Sequence, residues 1–251
     1  MKRGLSRRAT VASTLVGMLL VVLALAFGAE LNDAAAQEPQ AASGKELEIR
    51  LHRQQTVAGV WAATIAMVTE YIQRIELTDC TVQSEYDMKF YFGRGLCCQN
   101  APECQRYADL TEMPVIMNRI SNIRGRYQMG PLPFNRIVQL IDDDKPVIAA
   151  LAGPGGRGGH LVVIAGYEMP GTVVVLDPSA GRSKMSYSSL TYNMRTGLSW
   201  TATYEVQSKR MPQANCTVEP ETISVLGPCP NGAFGCPQVF QRNRLVCRQT
   251  N

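Results

Sequence analysis

The 251-residue chain holds only two histidines, His52 and His160. The second sits where a base would be useful. His160 follows a run of glycines and opens the apolar, β-branched stretch Leu161–Tyr167. After the turn sequence Glu168-Met169-Pro170-Gly171 comes a second such stretch, Thr172–Leu176, which ends on Asp177-Pro178. Folded about that turn as an antiparallel pair, the two runs set His160 opposite Asp177, on one face and about 5 Å apart at Cβ. A carboxylate beside one imidazole nitrogen fixes the tautomer and favours the charged ring. Groups so placed could serve as a general base and the acid that orients it. The plainer alternative is an Asp-Pro that ends a strand and a histidine that caps one. A register slip of one residue would separate the pair.

The elements that must carry these residues read in two halves. From Val57 to Ile75, apolar side chains recur at helical spacing (Val57, Val60, Trp61, Ile65, Val68, Tyr71, Ile72), with Ala62, Ala63 and Ala66 permitting close packing. Such a helix belongs at the centre of a fold. Residues 78–109 read as a loop-rich segment held by cysteines. Pro133–Asp142 reads as a second amphipathic helix, with Phe134, Ile137, Val138 and Ile141 on one side. From Pro146 the pattern turns to strands: Val147–Leu151, the two runs around the turn, and Trp200–Val206. Gly153–Gly159 is a glycine-rich loop with no following helix and no Lys-Ser/Thr pair, so it is not a phosphate loop. The expected fold class is α+β, with N-terminal helices packed on a C-terminal antiparallel sheet.

Before these elements, Lys2, Arg3, Arg7 and Arg8 precede an apolar run from Val11 to Phe27 and then Ala34-Ala35-Ala36. This is the pattern of a signal peptide over residues 1–36. A retained anchor is the alternative, against which stand the short length of the run and Ser13, Thr14 and Gly17 within it. Ser6-Arg7-Arg8 resembles a weak twin-arginine signal, which leaves the export route open. Residues 37–46 are small and polar, and read as a disordered lead-in to a domain over residues 47–207. The formal net charge of +4 falls to +2 without the first 36 residues, which carry four basic and two acidic side chains. That balance, with no dense basic cluster, argues against nucleic acid. After signal cleavage nothing calls for a membrane.

All eight cysteines follow the leader. Export places them in an oxidising compartment, periplasmic or extracellular, where disulfides are the default. Cys80, Cys97, Cys98 and Cys104 form one group. Cys216, Cys229, Cys236 and Cys247 form another, in a proline-rich extension over residues 208–251 that reads as irregular and stapled. Short loops favour pairing within each group, and the adjacent Cys97 and Cys98 each need a separate partner. No Cys-x-x-Cys pair exists and His52 is remote from both groups, so neither a metal nor a cofactor is expected.

Taken in order, these pieces resemble the papain-like cysteine peptidases of the bacterial C39-like and AvrRpt2-like group. The resemblance rests on Val60-Trp61-Ala62-Ala63 with Gln54 upstream, and on Asp79-Cys80 followed by Cys97-Cys98 and Cys104. It continues through Lys145-Pro146-Val147, Gly159-His160-Leu161-Val162-Val163-Ile164-Ala165-Gly166-Tyr167, Val175-Leu176-Asp177-Pro178 and Trp200-Thr201-Ala202-Thr203. It implies a papain-like fold, thiol proteolysis, His160 and Asp177 as base and orienting acid, and Gln54 as the oxyanion donor, a role for which Gln55 competes.

The resemblance also implies a cysteine at position 60, where Val60 stands. A thiol in the first turn of a buried helix has its pKa lowered by unpaired N–H groups, and a neighbouring imidazole holds it as thiolate. Val60 has no ionisable group. Thr56 and Thr64, the nearest hydroxyls, are each a helical turn away. The sequence therefore points to a secreted pseudopeptidase that binds a peptide or protein ligand in its cleft. Two other readings stay open: a hydrolase with another nucleophile beside His160, and a structural or interaction protein whose stapled extension does the work.

Overall fold

A computed structural model describes residues 43–100, 102, 105–108, 110–153, 159–193, 197–211, 216–230 and 234–247. The leader over residues 1–36, most of the glycine-rich loop, and Cys104 lie outside the described residues.

Apolar spacing delivers the first long helix, α1 (Val60–Gln73), entered through a single 3-10 turn at Val57–Gly59. Every residue of α1 from Trp61 to Gln73 except Glu70 is buried, so this helix is central, as its composition requires. It ends where Arg74 turns left-handed and its N–H caps the Glu70 carbonyl.

The next helix, α2 (Asp79–Tyr91), overturns the loop expected over residues 78–109. It begins with Thr78, whose hydroxyl accepts from the Thr81 N–H. Its buried face is largely polar, with Asp79, Thr81, Gln83, Ser84, Glu85 and Asp87 all enclosed. No apolar stripe announces such a helix. Two more short helices follow, α3 (Met113–Ser121) and α4 (Phe134–Asp142). The second matches the amphipathic segment read from the sequence, with Pro133 at its N-cap.

The strands form one antiparallel sheet. Its members are β1 (Gly44–Glu46), β2 (Gly125–Met129), β3 (Val147–Ala152), β4 (Gly159–Glu168), β5 (Thr172–Asp177), β6 (Gly181–Ser186), β7 (Tyr192–Asn193) and β8 (Leu198–Val206), with a short helix α5 (Tyr187–Thr191) between β6 and β7. The main order is β2-β8-β3-β4-β5-β6. The expected α+β class is what the chain forms. α1 packs on β4, the sheet's third strand from the β6 edge. β3, β4 and β5 are buried on both faces through most of their length, which explains their unbroken apolar runs.

The lead-in is a strand over its last three residues. Gly44–Glu46 pairs with Gly166–Glu168 of β4. A Cβ on Gly166 would lie 2.7 Å from the Lys45 carbonyl oxygen, so only glycine admits β1 at this distance.

The C-terminal extension is regular, contrary to expectation. β9 (Cys216–Pro228) and β10 (Phe234–Cys247) form a two-stranded ribbon. Both strands are edges, which is why Pro220, Pro228 and Pro237 fit. Cys216–Cys247 closes its base and Cys229–Cys236 its tip. The base is anchored: Cys216 and Leu245 join the main core, and the Leu245 N–H donates to the buried Glu85 carboxylate at 2.7 Å. Cys80–Cys98 ties the start of α2 to the segment beyond it, and Cys97 is also disulfide-bonded. These three pairings stay within each group, and the adjacent Cys97 and Cys98 do not bond to each other. No described helix is long and apolar enough to cross a membrane.

Candidate functional site

His160 and Asp177 meet. His160 Nε2 lies 2.9 Å from Asp177 Oδ1, and about a fifth of each side chain is exposed. The route to this contact differs from the direct opposition expected. Next to the turn, Glu168 pairs with Thr172 and Gly166 with Val174. Carried on unbroken, that register would set Asp177 opposite Val163, and His160 would face the other way. A one-residue bulge between Ile164 and Gly166 shifts the ladder to Ile164↔Val175 and Val163↔Leu176. One further step sets Asp177 opposite Val162, two residues from His160 and therefore on its face. The pair is a diagonal neighbour, within reach of a long side chain. Ala165, the extra residue, has its carbonyl taken by the Leu47 N–H at 2.7 Å, just beyond β1. The short lead-in strand thus adjoins the bulge that aligns the dyad.

The turn after β5 organises the rest. Asp177 Oδ1 accepts from the N–H groups of Ser179 at 2.7 Å and Ala180 at 3.0 Å. Burial disfavours the charged Asp177, but the His160 bond and the two N–H groups outweigh it and hold the carboxyl below its usual range. Asp177 is therefore ionised near neutrality, and its charge fixes the imidazole by Nε2. Across the sheet, Leu151 is paired with His160 and Trp200 with Leu151, so both share the histidine's face. They give it an apolar flank.

Gln54 joins this turn. Its N–H donates to the Pro178 carbonyl at 3.2 Å, and its side-chain Oε1 accepts from Ser179 Oγ at 2.9 Å. Arg53 Nη1 donates to the Ser179 carbonyl at 2.6 Å. The competitor, Gln55, is held elsewhere: its N–H donates to buried Asp79, whose pKa is raised chiefly by desolvation. Ser179, which connects Gln54 to Asp177, was not singled out from the sequence. The signal available was Asp177-Pro178-Ser179, an Asp-led turn whose carboxylate accepts from the next N–H groups.

Val60 is the first residue of α1, partly exposed, with Gly59 as N-cap and no side chain capping the helix start. Thr64 Oγ1 donates to the Val60 carbonyl at 2.9 Å. Thr56 Oγ1 is buried without a partner among the described residues. Among the described residues no hydroxyl or thiol is hydrogen-bonded to His160, and no cluster of His, Cys, Asp and Glu is arranged to hold a metal. The other histidine, His52, pairs with Glu70 and lines a cleft of about 820 Å³ with Arg50, Arg53, Asp79 and Thr217; that cleft includes none of Val60, His160 and Asp177.

A family model described as Peptidase_C39 like family matches residues 46–208. The chain belongs to that family. The match takes in Gln54, Val60, His160, Asp177 and Ser179 and ends before the disulfide-closed ribbon. No curated protein matches the chain.

Proposed function

We propose that this chain is an exported, papain-like member of its family that binds peptide or protein in its cleft without cutting it. The observation that carries this reading is a base–acid pair assembled at 2.9 Å in a chain whose helix-start residue is Val60. An imidazole held by a carboxylate can accept a proton, but hydrolysis by this route also needs an activated nucleophile. Two of the nearby hydroxyls are engaged otherwise, Thr64 with the Val60 carbonyl and Ser179 with Gln54, and the third, Thr56, is buried a helical turn from position 60. Three closed disulfides and the apolar leader support export. A groove between helices and sheet, which the family resemblance implies, would suit an extended peptide held by main-chain hydrogen bonds and side-chain pockets.

The test is made on purified protein incubated with a mixed peptide pool and, separately, with an iodoacetamide or vinyl-sulfone warhead. The expected result is peptide binding, no new termini and no label. Hydrolysis that His160→Ala abolishes would overturn the reading in favour of another nucleophile.

A further inference from the structure

Where the ribbon meets α2 and α3, two cavities lie side by side along β10. One, of about 410 Å³, is lined by Lys89 of α2, by Asn118, Arg119 and Asn122 at the end of α3, and by Arg244 and its successors through Cys247. The other, of about 380 Å³, is lined by Glu85, Lys89, Phe92, Arg242 and Arg244. Lys89 and Arg244 belong to both, so the cavities adjoin over the span from Arg242 to Cys247, about 17 Å of strand. Among the described residues Glu85 is the one acid in either lining, and it is already matched: its buried carboxylate meets the Lys89 ammonium at 3.0 Å and the Leu245 N–H at 2.7 Å. Arg242 is engaged by Glu221 at 2.7 Å and by the Arg94 carbonyl at 2.8 Å. Arg119 and Arg244 are the surplus cations. The Arg119 guanidinium lies 4.9 Å from the centre of the Phe90 ring and meets no carboxylate among the described residues. Arg244 is exposed and reaches Glu221, an acid Arg242 already holds, only at 3.7 Å. At the far cavity stands Phe92, 93 % exposed and left-handed at φ 55°. Neither burial nor backbone preference favours a phenyl group there.

We propose that this trough docks an extended segment of a partner protein that carries two acidic side chains and an apolar one. Charge sets the first requirement. Arg119 and Arg244 are two unmatched guanidinium groups in one lining, and each can take a carboxylate through two parallel N–H bonds. Length sets the second. An isolated anion would fill a small part of about 17 Å, whereas about five residues of extended chain span it. Phe92 gives the apolar side chain a surface. Half of the trough comes from β10, beyond residue 208 where the family match ends, so the docking surface is an addition to the shared scaffold. It includes neither His160 nor Asp177 and does not depend on whether the chain cuts peptides.

The full chain is titrated with two fluorescein-labelled, C-terminally amidated hexapeptide pools, read by fluorescence polarisation at low ionic strength. One pool has two fixed Glu and one fixed Leu among small residues. The other has Gln in place of both Glu. The Glu pool is expected to bind at least about tenfold tighter than the Gln pool, and to weaken as salt is added. The double variant Arg119→Gln/Arg244→Gln should remove that advantage. The double variant Arg182→Gln/Lys184→Gln on β6, which loses the same net charge, should keep it. Phe92→Asn suits the left-handed position better, so it should weaken the Glu pool by about threefold with an unchanged or raised melting temperature. Equal binding of the two pools overturns the proposal, as does Glu-pool binding that ignores Arg119 and Arg244, which would place the peptide elsewhere on the chain. Binding of neither pool overturns it too. Co-sedimentation with phosphatidylglycerol vesicles that depends on the two arginines, in a chain that binds no peptide, would reassign the trough to a lipid surface.

Discussion

Replacing Val60 with cysteine tests whether position 60 faces the dyad. A thiol there would stand in the first turn of α1, with no side chain capping the helix start. An imidazole held by Asp177 would be its partner. An exposed thiol has a pKa near ~8.5, and thiols activated by a helix end and an imidazole lie between ~3.5 and ~7.5. Taking about 6 for Val60→Cys gives a shift of about 2.5 units, or ~3.4 kcal/mol in favour of the thiolate. The helix end supplies about 1 to 2 kcal/mol of that at most, so the imidazole must supply the larger share. At pH 5.5 about a quarter of such a thiol is ionised, against about 0.1 % of an exposed one, a ratio near 240. Nucleophilicity falls with pKa by about 13-fold over the same shift, which leaves about a 20-fold faster reaction with a disulfide reagent. The assay is the release of thiopyridone from a pyridyl disulfide at pH 5.5, against Ser224→Cys on the exposed face of the ribbon as reference. No described cysteine is free, and the unsubstituted protein run alongside sets the background. Adding His160→Asn should bring the rate down to about threefold above the reference, the share left to the helix end. If Val60→Cys reacts no faster than the reference and ignores His160, the cleft is not a peptidase site that has lost one residue.

Three other substitutions probe what holds the site. Glu205, with its side chain only 1 % exposed, carries Arg126 and Arg136; burial opposes its charge, but the two guanidinium bonds hold its pKa below the usual value. A lowered folded pKa gives stability that is present above the unfolded value and lost as pH falls through the folded one, so acid unfolding should begin below about pH 4.5 and flatten in Glu205→Gln, at a cost of about 1–3 kcal/mol at pH 7 by urea melts. No acid-range difference between the two proteins would remove Glu205 as the cause. Glu85→Ala leaves the buried Leu245 N–H unpaired and should cost about 1–3 kcal/mol, with the Leu245 amide exchanging faster and the ribbon cleaved first by protease. Unchanged exchange at Leu245 would argue that the disulfide alone anchors the ribbon. Gly166→Val drives a side chain into the Lys45 carbonyl and should displace β1 at about 1–3 kcal/mol. The same change should loosen the His160–Asp177 bond, visible as altered imidazole signals in NMR. Those signals would stay fixed if the bulge does not depend on β1.

What was legible from the sequence was whatever repeats with a short period. α1, α4, β3, β4, β5 and β8 all carry apolar residues at helical or strand spacing, and each forms close to its expected bounds. α2 does not repeat in that way. Its enclosed face is built from Asp79, Thr81, Gln83, Ser84, Glu85 and Asp87, held by specific bonds such as Gln55 N–H to Asp79 and Cys97 N–H to Ser84. Those partners come from distant chain positions, which periodicity cannot register. The ribbon was misread for a related reason. Five prolines argue against a central strand, but a two-stranded ribbon has no central strand. His160 and Asp177 were brought together for an incomplete reason. The turn alone would have put them on opposite faces, and only the bulge at Ala165, beside a glycine contact with β1, restores the parity.

The same dissection bears on the proposed reading of Val60 as a nucleophile position without its cysteine, and on why the fold would not depend on that residue. The His160–Asp177 contact depends on the β4–β5 ladder, its bulge and the turn at Ser179. Gln54 depends on that turn as well. None of these bonds involves the side chain at position 60. α1 in turn is packed by Trp61 and the residues after it, while Val60 is partly exposed at its first position. Exchange of a thiol for an isopropyl group therefore touches neither the core nor those bonds. The two halves of a thiol hydrolase are separable in this architecture. A sheet-borne half orients hydrogen-bond donors, and a helix-borne half supplies the attacking atom. On the non-cutting reading proposed above, a chain that keeps only the first half would still discriminate among ligands through the groups that half orients.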